Sequence, residues 1–198
     1  GLDLFVCSDF GVGSGLGGSS SVCLAVLGCF NEFRDDRWTK HEMAELAFEI
    51  ERIHMGVAGG WQDQYAAAFG GINFIEFSDI RNEVSSLKLE YETLQELQES
   101  LILCNSNLSH QSGDVHKSQK LSMQSEAVRG LVARNVDLTY DMKHQLVKGN
   151  LDQLGRSLNT AWSFKRQFDP SISSKYLDKI YDGAMKNGAS GGKLLGAG

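Results

Sequence analysis

The chain has 198 residues, 25 of them acidic and 19 basic, giving a net charge of −6 spread along its length rather than gathered in blocks. That length suffices to bury a core, and the acidic balance excludes a nucleic-acid binder with its basic face. It leaves nucleotide binding open, because a phosphate site can be built from backbone amides and a metal ion. No apolar run is long enough to cross a bilayer, and the first residues carry neither the basic start nor the cleavage site of a signal peptide, so no membrane partner is expected. Cys7, Cys23, Cys29 and Cys104 show no C-x-x-C spacing and three sit in apolar runs, which fits free thiols packed as small hydrophobes in a cytoplasmic protein.

Leu2, Leu4 and Val6 alternate with Asp3, Phe5 and Cys7, as in a strand with a buried face. A glycine and serine loop, Gly13 to Ser21, follows, and Val22 to Phe33 reads as a buried helix. Thr39 and Glu42 form a capping box ahead of Met43, Leu46, Ala47, Ile50 and Ile53 at helical spacing. Gly56 to Gly60 ends that helix, and a short segment, Gln62 to Phe69, precedes Gly70-Gly71. Ile72 to Phe77 and Val84 to Leu89 read as a hairpin joined through Ser78 to Asn82, with Leu101 to Asn105 as a third strand candidate.

From Val115 the pattern turns helical. Val128, Leu131, Val132, Leu138, Met142 and Leu146 share one face, and Gly149-Asn150 makes a cap. Leu151, Leu154, Leu158 and Trp162 mark a helix closed by Asp169-Pro170, and Leu177, Ile180, Tyr181 and Ala184 mark another, closed by Asn187-Gly188. Strands early and helices late give an α+β class.

The loop carries the chemistry. Glycines let backbone N–H groups approach an anion closely, and the helix behind adds its positive dipole end. A Walker loop is excluded because no lysine follows the glycines before Lys40. Gly13, Gly15 and Gly18 satisfy G-x-G-x-x-G, but the dinucleotide fold also needs a second strand ending in an acid, and here the capped helix from Thr39 comes next. A plain flexible linker fits poorly, since apolar elements flank the loop tightly on both sides.

Gly15-Leu16-Gly17-Gly18-Ser19-Ser20 resembles the G-L-G-S-S-A phosphate loop of the GHMP kinases, the superfamily of galactokinase, homoserine kinase and mevalonate kinase. Two further segments match in the expected order: Gly59-Gly60-Trp61-Gln62-Asp63-Gln64-Tyr65 resembles the catalytic segment of the fucokinase and heptose kinase branch, and Gly191-Gly192-Lys193-Leu194-Leu195-Gly196-Ala197-Gly198 the start of the C-terminal glycine motif. Trp162-Ser163-Phe164-Lys165-Arg166 and Pro170-Ser171-Ile172-Ser173 are similar to the heptose kinases too. The resemblance implies a two-lobed α+β fold, with a ribosomal protein S5 domain 2-like N-terminal lobe ending at residue 82 and a ferredoxin-like C-terminal lobe over residues 83–198. Because the chain opens on Gly1 and stops inside a glycine motif, we expect a piece incomplete at both ends, with exposed apolar surface and weak or no activity if made as it stands.

The resemblance further implies an ATP- and Mg²⁺-dependent kinase. Within the heptose branch the acceptor is the anomeric hydroxyl of D-glycero-D-manno-heptose 7-phosphate; an L-fucose or other sugar kinase is the alternative, and a non-catalytic nucleotide- or sugar-binding lobe the alternative of another class. The phosphates of ATP would lie on Gly13, Ser14, Gly15, Leu16, Gly17, Gly18, Ser19 and Ser20. Mg²⁺ would meet Ser19 and Glu51, with Glu49 the near alternative and a solvated helix face pairing with Arg52 the bland reading of either. Asp63 would face the sugar hydroxyl as base or orienting group, its structural alternative being an N-cap of the helix near Gln64. Gly60, Trp61, Gln62, Gln64, Gly196, Ala197 and Gly198 would contact the sugar, with core filling the alternative for Trp61. The polar loop Ser106 to His116 resembles a phosphate-side loop, in which His110 and His116 lack metal-ligand spacing. The sequence leaves the oligomeric state open, a homodimer included.

Overall fold

In the computed structural model the described residues are 2–9, 11, 13–108, 121–169 and 172–196. They divide into two units, Gly1–Ser86 and Leu87–Gly198. The expected lobe boundary between residues 82 and 83 falls at the edge of a hairpin strand that stays with the first unit.

The first unit is built around helix α1 (Gly18–Asn31), which buries Ser20, Leu24, Leu27 and Asn31, a stripe at three- and four-residue spacing. Leu24 and Leu27 pack with Ala47 to form a small core, joined by Cys23, Trp38, Met43, Leu46, Ile50 and Ala68. The rest of α1 does not follow the expectation of a helix buried all round: Val22, Phe30 and Phe33 are exposed, because its described neighbours cover one face only.

Helix α2 (Lys40–Phe48) starts at the expected capping box. The Thr39 hydroxyl accepts from the Glu42 N–H at 3.3 Å, and the Glu42 carboxylate accepts from the Thr39 N–H at 2.7 Å. Its C-terminal end widens into a π-helical segment, Glu49–His54, where the Met55 N–H reaches back five residues to the Ile50 carbonyl at 2.9 Å. After the glycine break, helix α3 (Gln62–Phe69) begins at its cap Trp61, so Asp63 lies inside the first turn and is not the N-cap. Strands β1 (Asn73–Glu76) and β2 (Glu83–Ser86) then pair antiparallel, from Asn73 opposite Ser86 to Glu76 opposite Glu83.

Two expected strands are not formed. Residues Leu2 to Cys7 and Leu101 to Asn105 lack regular structure, with Phe5 90% and Ile102 90% exposed. A strand is stable only against a partner, and the described residues supply none to either segment. Cys7, Cys29 and Cys104 are exposed rather than packed, and Cys23 alone joins the core.

In the second unit, helix α4 (Tyr91–Ser100) was not anticipated; Leu94 and Leu97 keep helical spacing but are outnumbered by Glu and Gln. Helix α5 (Glu126–Val147) packs along helix α6 (Leu151–Phe168) across the Gly149-Asn150 turn, and helix α7 (Lys175–Lys186) begins where the Ser174 hydroxyl accepts from the Leu177 N–H at 3.3 Å. The apolar centre of this unit is Trp162 and Ile172, with Phe168, Tyr181 and Leu194 against them.

Candidate active site

The loop before α1 is shaped by three left-handed glycines, Gly13, Gly15 and Gly17, at φ 78°, 73° and 71°, conformations that side chains with a Cβ resist. Gly17 is the N-cap, no side chain caps the helix, and its first turn holds no acid. The leading N–H groups of α1 therefore face out of the helix end with their positive partial charge, as an anion site requires.

Beneath the first turn lies Glu51, only 3% exposed. Its two oxygens accept from the Ser19 hydroxyl at 2.5 Å and the Ser20 hydroxyl at 2.5 Å, and the second oxygen also accepts from the Gln64 amide at 2.6 Å. Burial alone would push this carboxyl up, but the hydrogen bonds from Ser19, Ser20 and Gln64, with the Arg52 charge, together hold it below the ordinary range. Glu51 is thus an anion locked to the loop. Glu49 is turned away, exposed beside His54 at 3.6 Å, and Arg52 donates to the Gly60 carbonyl at 3.3 Å.

Asp63 borders the same helix start. A Cβ built on Gly17 would lie 3.4 Å from the Asp63 carboxyl carbon, so the carboxylate borders the backbone at the helix start. The glycines at 59 and 60 are close-fitting as well: a Cβ on Gly59 would meet the Arg52 guanidinium at 2.7 Å, and one on Gly60 the Gln62 side-chain oxygen at 3.0 Å.

The residues around Asp63 divide in role. Gln62 is exposed, whereas Gln64 is fully buried with its amide donated to Glu51 and its oxygen without a hydrogen-bond partner among the described residues. Gln64 therefore faces the carboxylate and the core rather than an open pocket. Trp61 stacks flat on Phe48, ring centroids 3.4 Å apart and 1° between planes. Behind them the Tyr65 hydroxyl donates to Glu45 and accepts from Asn82 at 3.1 Å. Burial, then the Glu45 hydrogen bond, push the Tyr65 phenol up to about 12. Sequence reasoning missed this Tyr65, Glu45 and Asn82 group, and the parts played by Ser20 and Phe48. The signal was the three-residue spacing Glu45, Phe48, Glu51, one helical face set against Trp61, Gln64 and Tyr65.

Of the remaining expected site residues, Gly196 lies in the second unit, where its carbonyl accepts from the Lys165 ammonium. Ala197, Gly198, His110, His116 and most of the polar loop lie outside the described residues. Among the described residues no three of His, Cys, Asp and Glu group as a metal cage, and no helix is long and apolar enough to cross a membrane.

The GHMP kinases N terminal domain family matches residues 1–71, the stretch that holds the loop, Glu51 and Asp63. The whole chain aligns at 36% identity with D-glycero-alpha-D-manno-heptose 7-phosphate kinase of Campylobacter jejuni, spanning 58% of that protein. It aligns at 29% identity over 94% of its length with the bifunctional fucokinase/GDP-fucose pyrophosphorylase of Arabidopsis thaliana, spanning 18% of it. Among solved structures, a D-glycero-D-manno-heptose 1-phosphate kinase from Bacteroides thetaiotaomicron superposes with a TM-score of 0.70 at 31% identity, over 96% of this chain and 53% of that one. Lactococcus lactis galactokinase shares the fold, with a TM-score of 0.65 at 22% identity over 96% of this chain and 57% of that one. The chain thus spans little more than half of several relatives. Residues 1–71 thus match the GHMP kinases N terminal domain, and the chain is similar in sequence and in its α+β fold to heptose phosphate kinases of that family.

Proposed function

We propose that the protein of which this chain is part is an ATP-dependent sugar kinase, acting on the anomeric hydroxyl of D-glycero-D-manno-heptose 7-phosphate to give the 1,7-bisphosphate. The observation that carries the reading is the convergence on one helix start of an uncapped glycine loop, a buried anionic Glu51 and the Asp63 carboxylate. Phosphoryl transfer asks a protein for positioning and charge neutralisation, and these are the parts it needs. The heptose acceptor rests on the 36% identity to the Campylobacter enzyme.

In this reading the amides from Gly13 to Ser20 hold the outer phosphates of ATP. Ser19 is exposed, and its hydroxyl proton is committed to Glu51, so the oxygen lone pairs are left to face outward. That suits a hard cation with few protein ligands: Ser19 would hold Mg²⁺ directly, and Glu51 would meet it or polarise Ser19 from behind. When bound, the ion neutralises charge on the phosphates. Asp63 orients the sugar hydroxyl and takes up its proton as the oxygen bonds to the γ-phosphorus of ATP and the bond to the leaving ADP breaks. The ATP-binding lobe is assigned to the first unit and the remainder of the catalytic fold to the second.

The test is turnover and nucleotide titration of the full-length protein with heptose 7-phosphate, L-fucose, galactose and mevalonate. We expect transfer to heptose 7-phosphate, and we expect Asp63→Asn to lower kcat by about 10²–10⁴ with ATP affinity nearly intact. Absence of ATP binding would remove the kinase reading, and near-normal turnover in Asp63→Asn would remove that residue from its role.

A further inference from the structure

Gln64 is fully buried and stands one residue after Asp63 on α3. Successive helical positions point about 100° apart, so the two side chains meet different groups. Asp63 borders the backbone at Gly17, whereas the Gln64 amide donates to Glu51 at 2.6 Å. An ionised carboxylate only accepts hydrogen bonds, and Gln64 must therefore present its N–H groups to Glu51. Its own oxygen is thereby turned away and has no hydrogen-bond partner among the described residues. A buried acceptor without a donor lowers stability, and an apolar side chain of the same size would not carry that cost. What the amide supplies and an apolar chain cannot is a donor on Glu51.

That donor matters because the two oxygens of the carboxylate are held differently. Glu51 Oε1 accepts from the exposed Ser19 of the loop at 2.5 Å. Oε2 accepts from two buried groups, Ser20 of α1 at 2.5 Å and Gln64 of α3 at 2.6 Å. Glu51 itself stands on the π-helical segment, so three pieces of backbone meet at its carboxylate. A glutamate side chain turns about several torsions. Charge-assisted bonds on Oε2 from two helices hold it in one orientation, with Oε1 left at Ser19. Partners that stand behind a metal-binding group orient it, and their loss weakens metal affinity by about 10–100-fold with the binding group itself unchanged.

We propose that Gln64 is a positioning residue that acts through Glu51 on the side of the nucleotide and its metal ion, and is not a contact to the sugar. This role rests on the kinase reading, which MgATP uptake and phosphoryl transfer by the parent test by themselves. The full-length protein and its Gln64→Met variant, in which an apolar chain of similar length replaces the amide, are titrated by calorimetry with MgATP and with ATP in EDTA, and KM is measured for the sugar acceptor. We expect Gln64→Met to weaken MgATP by about 10–100-fold, with metal-free ATP affinity and the sugar KM within about twofold of the parent. In a Glu51→Gln background the same substitution should change MgATP affinity by less than about twofold, because its partner is already gone. Loss of all ligands together marks a purely structural role, and a rise in the sugar KM alone marks a sugar contact; either overturns the proposal. Parent-like MgATP affinity in Gln64→Met, or an undiminished effect in the Glu51→Gln background, overturns it as well. Gln64→Asn keeps an amide but withdraws it from Glu51 by one methylene, and it carries the same measurements if Gln64→Met does not fold. If neither variant folds, Gln64 serves the fold alone and the proposal falls. A parent that takes up no MgATP removes the kinase reading and this role with it, whereas an active parent with an indifferent Gln64→Met removes this role only.

Discussion

At the scale of single residues, the candidate site turns on positions where one atom decides the outcome. Gly17 is both the left-handed N-cap of α1 and the neighbour of Asp63, with φ 71° and a Cβ position 3.4 Å from that carboxylate. We expect Gly17→Ala to destabilise the first unit by about 1 kcal/mol or more through backbone strain and to weaken nucleotide binding as the loop shifts. Thermal melts and ATP titration of the full-length variant check both; parent-like values would show that the loop does not need its glycine there. The loop was legible in the sequence because glycine spacing and a missing lysine are local signals. The choice between Glu51 and Glu49 was not, since two residues on one helix turn differ only in which way the helix faces. The π-helical segment sets that facing, putting Glu51 against Ser19, Ser20 and Gln64 and leaving Glu49 outside.

Secondary-structure elements were readable where they carry their own signals. The capping box at Thr39 and Glu42 marks the start of α2 with two reciprocal hydrogen bonds, and the Thr39 backbone and hydroxyl hold the Glu42 carboxyl below its ordinary value. Removing the hydroxyl in Thr39→Ala should cost about 1 kcal/mol, read as a lower denaturation midpoint with an unchanged denaturant slope; no change would mean that α2 is held by packing alone. The helices α6 and α7 follow their apolar spacing, and the hairpin follows its turn. Leu2 to Cys7 and Leu101 to Asn105 show the limit of such reading. Alternation and apolarity describe what a strand would bury but not whether a partner is present to pair with it, and the described residues offer none. Helix α4 went unread although Leu94 and Leu97 stand at helical spacing, because so few apolar side chains mark it among Glu and Gln.

For the molecule taken unit by unit, the pH response belongs to the lysines of the second one. Lys165 gives up its proton near 8 in the folded chain and near 10.5 when unfolded. Between those values the unfolded chain holds more protons, so stability should rise with pH across that window and be lower below it. Melts in phosphate-free buffer from about pH 7 to 10 should show the rise, and Lys165→Met should flatten it; an equal rise in the variant would place its origin elsewhere. Exposed apolar side chains such as Phe5, Ile80 and Ile102, each at least 90% exposed, accompany a chain that covers 58% of its Campylobacter relative.

The sequence by itself determined the glycine loop, the capping box, the order of the three family segments and the superfamily they imply, because each is a short-range pattern of residue types. Only the tertiary structure decided which carboxylate stands behind the loop, that Gln64 turns inward to Glu51, and that Lys165 meets the Gly196 carbonyl. Those depend on helices and a glycine-tight segment bringing together residues 13 to 32 positions apart, distances over which composition and periodicity carry no geometry.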